Sequence, residues 1–398
     1  MLITSDSAHC FMPYPAVEVP CAPHGPLAGL TFAVKDLFDV AGYPTGGGNP
    51  HVLARSGIKT RTAPAVQKLL DAGARFVGKA ITDELAFSMT GSNTHFGTPR
   101  NGAAPERIPG GSSSGSASAV SNGLADFALG TDTGGSVRAP ANHNGLYGLR
   151  PTHGRVSLER CLDLAPSLDS CGYFARDAAT FERVGATLLG ADRCTLAPDC
   201  ELLLARDTFS LLAPEVATAL APALQSIAQQ AGTLRSVDVA QPSFAALYWS
   251  FRYVQGFEAW RSDGALIENF NLQLGPGVKE RFAWSKEVSA EQYAKSSAVR
   301  DEFATLLAAL LDNRRALLLP TMPDIAPQLD EPVSDQENYR NNSLKLLSLA
   351  GLARLPQVTL PLASRLGAPL GLSLIGPAGS DLSLIRLAIA LTNCTGVH

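Results

Sequence analysis

Charge is scarce in this sequence. Asp, Glu, Lys and Arg make up only 17% of the 398 residues, the formal net charge is −4, and no segment carries a block of Lys and Arg. Nucleic-acid binding draws on a dense basic surface, so no nucleic-acid partner is expected, and a small neutral ligand suits this balance better. Long apolar runs are missing too. No window reaches the roughly 18 residues that cross a bilayer, and residues 1–19 lack the basic-then-apolar order of a secretory leader. The expectation is a cytoplasmic protein with no membrane segment. Seven cysteines (Cys10, Cys21, Cys161, Cys171, Cys194, Cys200 and Cys394) form an odd, irregularly spaced set without a CxxC pair. That excludes a disulfide framework and a zinc site and leaves free, mostly structural thiols. Repeats, low-complexity tracts and flexible linkers are absent as well.

What is present is a chain 45% hydrophobic, rich enough to bury a large core. Short strand-like runs at 30–34, 75–78 and 127–129 alternate with helical stretches, which predicts a mixed α/β core. Residues 62–73 form one expected helix, with Ala63, Val66, Leu69 and Leu70 on its apolar face and Gly73 as its stop. Thr82 is expected to cap another, with Leu85, Ala86 and Met89 as its buried stripe. Residues 178–313 read as mostly helical (214–231, 244–269 and 289–311), with short strands at 202–204 and 234–239. Strand-like runs at 316–319, 358–360 and 370–375 and a helix over 380–391 then rejoin the first sheet.

Candidate chemistry sits in three places. Residues 109–118 place three adjacent serines, Ser112 to Ser114, among glycines ahead of an alanine-rich helical stretch. Such glycines let backbone approach a ligand closely, yet a Gly/Ser run alone is equally the mark of a loop. Residues 130–138 read Gly-Thr-Asp-Thr-Gly-Gly-Ser-Val-Arg, which can hold the Ser136 hydroxyl on a tight turn beside converging N–H groups. It is neither a GxSxG elbow nor a Walker A loop. Lys35 closes the apolar run Phe32-Ala-Val-Lys. As an isolated residue it reads as an edge-strand lysine paired with Asp36, whereas burial would lower its pKa and make it a base.

Together these three pieces resemble the amidase-signature family. The spacing of 136 − 112 = 24 residues agrees, and so do Thr98-Pro-Arg-Asn101, Gly145-Leu-Tyr-Gly-Leu-Arg-Pro-Thr152, Leu319-Pro-Thr-Met-Pro323 and Gly371-Leu-Ser-Leu-Ile-Gly-Pro377. The resemblance spans nearly the whole chain. It implies one amidase domain over residues 1–398: a signature core at 25–177, a variable segment at 178–313, and strands and a helix at 314–398 rejoining a mixed central sheet covered by helices on both faces. It assigns Ser136 as nucleophile, Ser112 as a bridging serine behind a cis peptide bond, and Lys35 as the base. The backbone N–H groups of Thr133, Gly134, Gly135 and Ser136 become the oxyanion hole, and Asp132 and Arg138 brace the loop. No histidine, metal or cofactor enters this Ser-Ser-Lys scheme, which forms an acyl-enzyme.

Rival constellations are weaker. His95, His143 and His153 sit in no motif that aims them at a serine, and Asp36, Asp39, Asp83 and Glu84 lack metal-ligand spacing and read as turn and helix-start residues. One departure stands out: Ser114 occupies the place of a usual family glycine. The chain is also shorter than most members, between 177 and 313. Residues 38–50 and 98–109 look most like indole-3-acetamide hydrolases, which implies a primary amide of a small acid, an aromatic one among the candidates. Tyr248, Trp249, Phe251, Tyr253, Phe257, Trp260 and Trp284 are candidate pocket aromatics, although helical spacing favours core packing. Two other readings stand beside a free-standing amidase, which is itself compatible with a homodimer. One is a glutamine-amidase subunit of a transamidation complex. The other is a non-catalytic docking module, against which the retention of Lys35, Ser112 and Ser136 counts.

Overall fold

The computed structural model describes residues 6–232, 234–332 and 336–395, with side chains through Asn393; the Cys394 side chain lies outside the described residues. Ten strands form one sheet: β1 (Thr31–Lys35), β2 (Arg75–Ala80), β3 (Phe127–Asp132), β4 (Tyr147–Arg150), β5 (Ser170–Ala175), β6 (Glu201–Ala205), β7 (Arg235–Val237), β8 (Arg315–Pro320), β9 (Gln357–Arg365) and β10 (Ala368–Ile375). Their order is β2-β1-β3-β5-β4-β9-β10-β8-β6-β7. Pairing is parallel at the two ends and antiparallel from β3 through β8, so the sheet is mixed.

Side-chain alternation explains why helices cover both faces. Phe32, Val34, Phe127, Leu129 and Tyr173 point into a bulky cluster with Val66, Leu69, Phe181, Ile227 and Ile385 from flanking helices. Their neighbours Ala33, Ala128 and Phe174 point the other way, into an alanine-rich cluster with Ala117, Ala119, Val120 and Ala141. Small residues there let helix Ser114–Ser121 lie close on β3, where Ser116 Oγ donates to the Leu129 carbonyl at 2.8 Å. The Gly/Ser run is thus a docked helix start. Residues 178–313 contribute β6 and β7 to the sheet itself. Their helices Phe244–Phe270 and Ala290–Leu310 pack with Gln336–Ala353 over the far half, while Val278–Lys286 packs against Phe244–Phe270 in a cluster with Leu37, Val52 and Phe87.

One local expectation needs correction, and one helix was not expected at all. The helix from Thr82 does not form: Glu84–Ala86 makes one 3-10 turn, with Leu85 and Ala86 at φ 48° and 57°. Thr82 Oγ1 donates to the carbonyls of Ser112 and Asp83, at 3.0 and 3.1 Å, which ties the side chain to the Ser112 loop. Helix Gln336–Ala353, by contrast, has no counterpart in the sequence reading. From Ser343 to Ala353 it is buried on nearly every side, so it shows no apolar stripe. Among the described residues no helix is long and apolar enough to cross a membrane.

Candidate active site

Three strand and loop ends meet on the alanine-rich side. Lys35 closes β1, which lies between β2 and β3 and is therefore no edge strand. Its Nζ is fully buried, 2.7 Å from Ser112 Oγ and 2.8 Å from Thr131 Oγ1. Asp36 takes no part in this: it pairs with Lys79 at 2.8 Å and accepts from Tyr14. Burial pushes the Lys35 pKa down from 10.5 to about 8, with Asp83 the largest opposing charge. Ser112 follows a cis peptide bond from Gly111, and its carbonyl accepts from the Asp83 N–H at 3.0 Å.

The loop after β3 is organised by one carboxylate. Asp132 accepts from the N–H groups of Gly135, Val137 and Arg138 at 3.0 to 3.2 Å; its Oδ1 takes both Arg138 Nη2 at 2.6 Å and Arg150 Nη1 at 3.0 Å, and its Oδ2 takes Arg138 Nε at 3.0 Å. Burial alone would raise its pKa. The charge and hydrogen bonds of Arg138, then the charge of Arg150, override that and hold it well below the usual carboxylate range. Gly134 and Gly135 are required by the helices above them: a Cβ would sit 2.6 Å from the Phe251 ring and 2.3 Å from Leu347, and Gly135 has φ +113°. Ser136 emerges from this turn with its carbonyl accepting from the Ser113 N–H at 3.2 Å, which sets the two serine loops side by side. It is 6% exposed while Lys35 and Ser112 are sealed, so of these three it is the one with access to the surroundings.

Ser136 opens on a cavity bounded by Phe87, Met89, Gly134, Gln255, Arg281 and Arg340. Arg281, Arg340, Ser88 and Met89 also line an adjoining space of about 260 Å³. A larger cavity of about 560 Å³ beside Phe11, Tyr43 and Lys79 lies apart from Lys35, Ser112 and Ser136. None of the seven candidate aromatics lines the space at Ser136. Phe251 packs into the core, Phe257 stacks on Tyr293, and Trp249, Tyr253 and Trp284 form a row of ring contacts with Trp249 exposed, so core packing accounts for Phe251 and contact between neighbouring rings for the others.

The rival residues are engaged elsewhere. His95 and Asn49 bind Glu84, His143 Nε2 lies 2.7 Å from the Tyr339 hydroxyl, and His153 sits in the loop after β4. Asp39 accepts from Thr45 Oγ1 and pairs with Lys59. Asp83 is more than a turn residue: it is fully buried, its Oδ1 has no partner, and it faces the charge of Lys35. Thr131 and Arg150 also belong to the site and had gone unassigned. Arg150 stood in a quoted motif, but only the fold brings it to Asp132. Ser114 starts its helix with a buried, unpartnered hydroxyl.

A mixed sheet that sets a buried lysine against one serine, beside a second serine on a glycine turn, has the parts of a hydrolase needing no histidine. The chain belongs to the Amidase family, whose model matches residues 16–385. It is 39% identical to Amidase 1 of Arabidopsis thaliana over 92% of this chain and 93% of that one. It is 35% identical to the chloroplastic outer envelope protein 64 of the same plant, over 94% of this chain and 68% of that protein. A crystal structure of an amidase superposes with a TM-score of 0.83 at 31% identity, covering 93% of this chain and 85% of the other. The protein is a hydrolase of carbon–nitrogen bonds other than peptide bonds.

Proposed function

We propose that the protein hydrolyses a small primary carboxamide to carboxylate and ammonia through an acyl-enzyme on Ser136. The observation that carries this is the buried 2.7 Å contact between Lys35 Nζ and Ser112 Oγ, directly behind the Ser136 turn. Neutral Lys35 takes a proton from Ser112 as Ser112 takes one from Ser136, and Ser136 Oγ attacks the amide carbon. The oxyanion faces the N–H groups of the 133–136 turn. Gly135 N–H is held by Asp132 at 3.0 Å, so Thr133, Gly134 and Ser136 are the free candidates among the four. On collapse the proton returns through Ser112 to the leaving nitrogen, ammonia departs, and water repeats the sequence on the ester. Asp132, Arg138 and Arg150 hold the turn without touching substrate. Cytoplasmic residence as a free-standing enzyme, single or paired, belongs to the same proposal, and cell fractionation and solution sizing test it.

The deciding experiment is Ser136→Ala. Ammonia release should fall ~10³-fold or more with the fold intact, and the wild-type enzyme with hydroxylamine should yield the hydroxamate of the acyl group. A near-normal rate in Ser136→Ala overturns the assignment.

A further inference from the structure

Arg281 and Arg340 come from separate helices and both reach the cavity that contains Ser136. Arg281 Nε donates to the Phe87 carbonyl, which fixes the guanidinium plane and leaves its Nη groups without a hydrogen-bond partner. Arg340 makes no hydrogen bond or ion pair among the described residues. Among the described residues no carboxylate forms an ion pair with either guanidinium. Nearby acids do not compensate: Asp83, Glu280 and Glu337 act only at longer range, and Asp83 itself is held toward its neutral form by burial. Arg252, over the Trp284 ring at 4.6 Å, adds a third positive charge nearby. Burial, and then the charge of the neighbouring arginine, depress the pKa of Arg281 to about 10.

Arginines in a folded chain ordinarily find a carboxylate, because a half-buried, unpaired guanidinium is costly. Two of them, facing one cavity without partners and beside a nucleophile, form a forked anion cradle. We infer that the substrate is an amide carrying a second, anionic group, a carboxylate at the far end of a short chain, which Arg281 and Arg340 hold while its carboxamide lies at Ser136. The inference rests on Ser136 as the reacting residue and adds the substrate class. It disfavours a neutral aromatic acyl group, since among the described residues Phe87 is the only aromatic one lining the space at Ser136.

Binding and turnover test it separately. Malonate, succinate and glutarate are titrated by calorimetry into Ser136→Ala protein, with propionamide as the neutral control. At least one dicarboxylate should bind while propionamide does not, and Arg340→Met should weaken it about 10-fold or more. Arg340→Met is the cleaner variant because Arg340 holds no protein group, whereas Arg281→Met also frees the Phe87 carbonyl. In turnover, succinamate should exceed its neutral isostere 4-oxopentanamide about 100-fold in kcat/KM, with malonamate and glutaramate bracketing the length. That ratio should fall toward one in Arg340→Met and recover in part in Arg340→Lys. Failure of all three dicarboxylates to bind, or equal loss on charged and neutral amides in Arg340→Met, overturns the inference. If dicarboxylates bind through the arginines but no amide is hydrolysed, the anion site stands and the Ser136 reading fails.

Discussion

The floor and the roof of the cavity are built differently. The floor comes from residues 35 to 138, where two strand ends deliver Lys35 and Asp132, and the loop before helix Ser114–Ser121 delivers Ser112, into full burial, and each meets a polar partner. The roof comes from three helices distant in sequence, which supply Gln255, Arg281 and Arg340, and its two arginines face open space. A floor in which Lys35, Ser112 and Asp132 are each hydrogen-bonded is rigid and suits one proton path, whereas a roof with two unpaired arginines waits for a group from the substrate. Reaction type and selectivity should therefore separate under mutation. Floor variants should damage every substrate, and roof variants should change ratios between substrates.

The largest effect is expected at Asp132. Asp132→Ala strips the shared counter-charge from Arg138 and Arg150, both fully buried, and releases three loop N–H groups. Removing one partner of a buried ion pair costs about 3–5 kcal/mol, so the urea midpoint should fall steeply and amide and ester hydrolysis should disappear together. A stable Asp132→Ala protein that merely changes substrate preference would erase the distinction between floor and roof.

Next comes Lys35. An amide nitrogen must gain a proton to leave, whereas an activated ester needs far less help. Lys35→Ala should therefore lower kcat/KM for an amide by ~10²-fold or more and for the matched activated ester by much less, while Ser136→Ala lowers both alike. Ser112→Ala should fall between, since water can partly replace its relay. Equal rates in Lys35→Ala and wild type on both substrates would return Lys35 to a scaffolding role.

The pH profile sharpens the same point. Lys35 serves as a base only when neutral, and burial moves its pKa down from 10.5 to about 8. Activity should rise with pH along one limb, level off above about 8, and lose that limb in Lys35→Ala; an unshifted lysine would keep the rise going past pH 10. Chelators should leave the rate unchanged, since no step in this scheme uses a metal.

Most of the floor was legible because its signals are local. The three serines, the Gly-Gly-Ser turn and the lysine closing an apolar run each sit within ten residues, and the strands around them show a clear pattern. Lys35 kept two readings until the sheet order placed β1 inside the sheet and gave Asp36 to Lys79. The roof left no such trace. Helix Gln336–Ala353 is buried too evenly to show a stripe, and Arg281 and Arg340 look like surface residues until tertiary packing turns them inward. The segment after Thr82 misled for a related reason: its hydroxyl, apt for a cap, is bound to the Ser112 loop, a contact across 30 residues of sequence.

The smallest effect concerns Ser114, which lies on the floor yet should behave as neither floor nor roof. Its hydroxyl is buried without a partner at the first residue of helix Ser114–Ser121, and it touches none of Lys35, Ser112 or Ser136 through a hydrogen bond. Ser114→Ala removes the unsatisfied group and adds helix propensity, so the protein should gain about 0.5–1 kcal/mol by urea unfolding. Ser114→Gly removes the same hydroxyl but returns backbone freedom to the unfolded chain, a cost of roughly 0.5–1 kcal/mol that offsets the gain and leaves stability near wild type. Both variants should keep kcat/KM within about twofold of wild type. Ser114 would then be a tolerated residue at its position, held in place by neither catalysis nor packing. A loss of stability in Ser114→Ala would mean that the hydroxyl has a partner, such as an ordered water behind the bridging serine, and that the floor is more extensively hydrogen-bonded than its protein atoms alone make it.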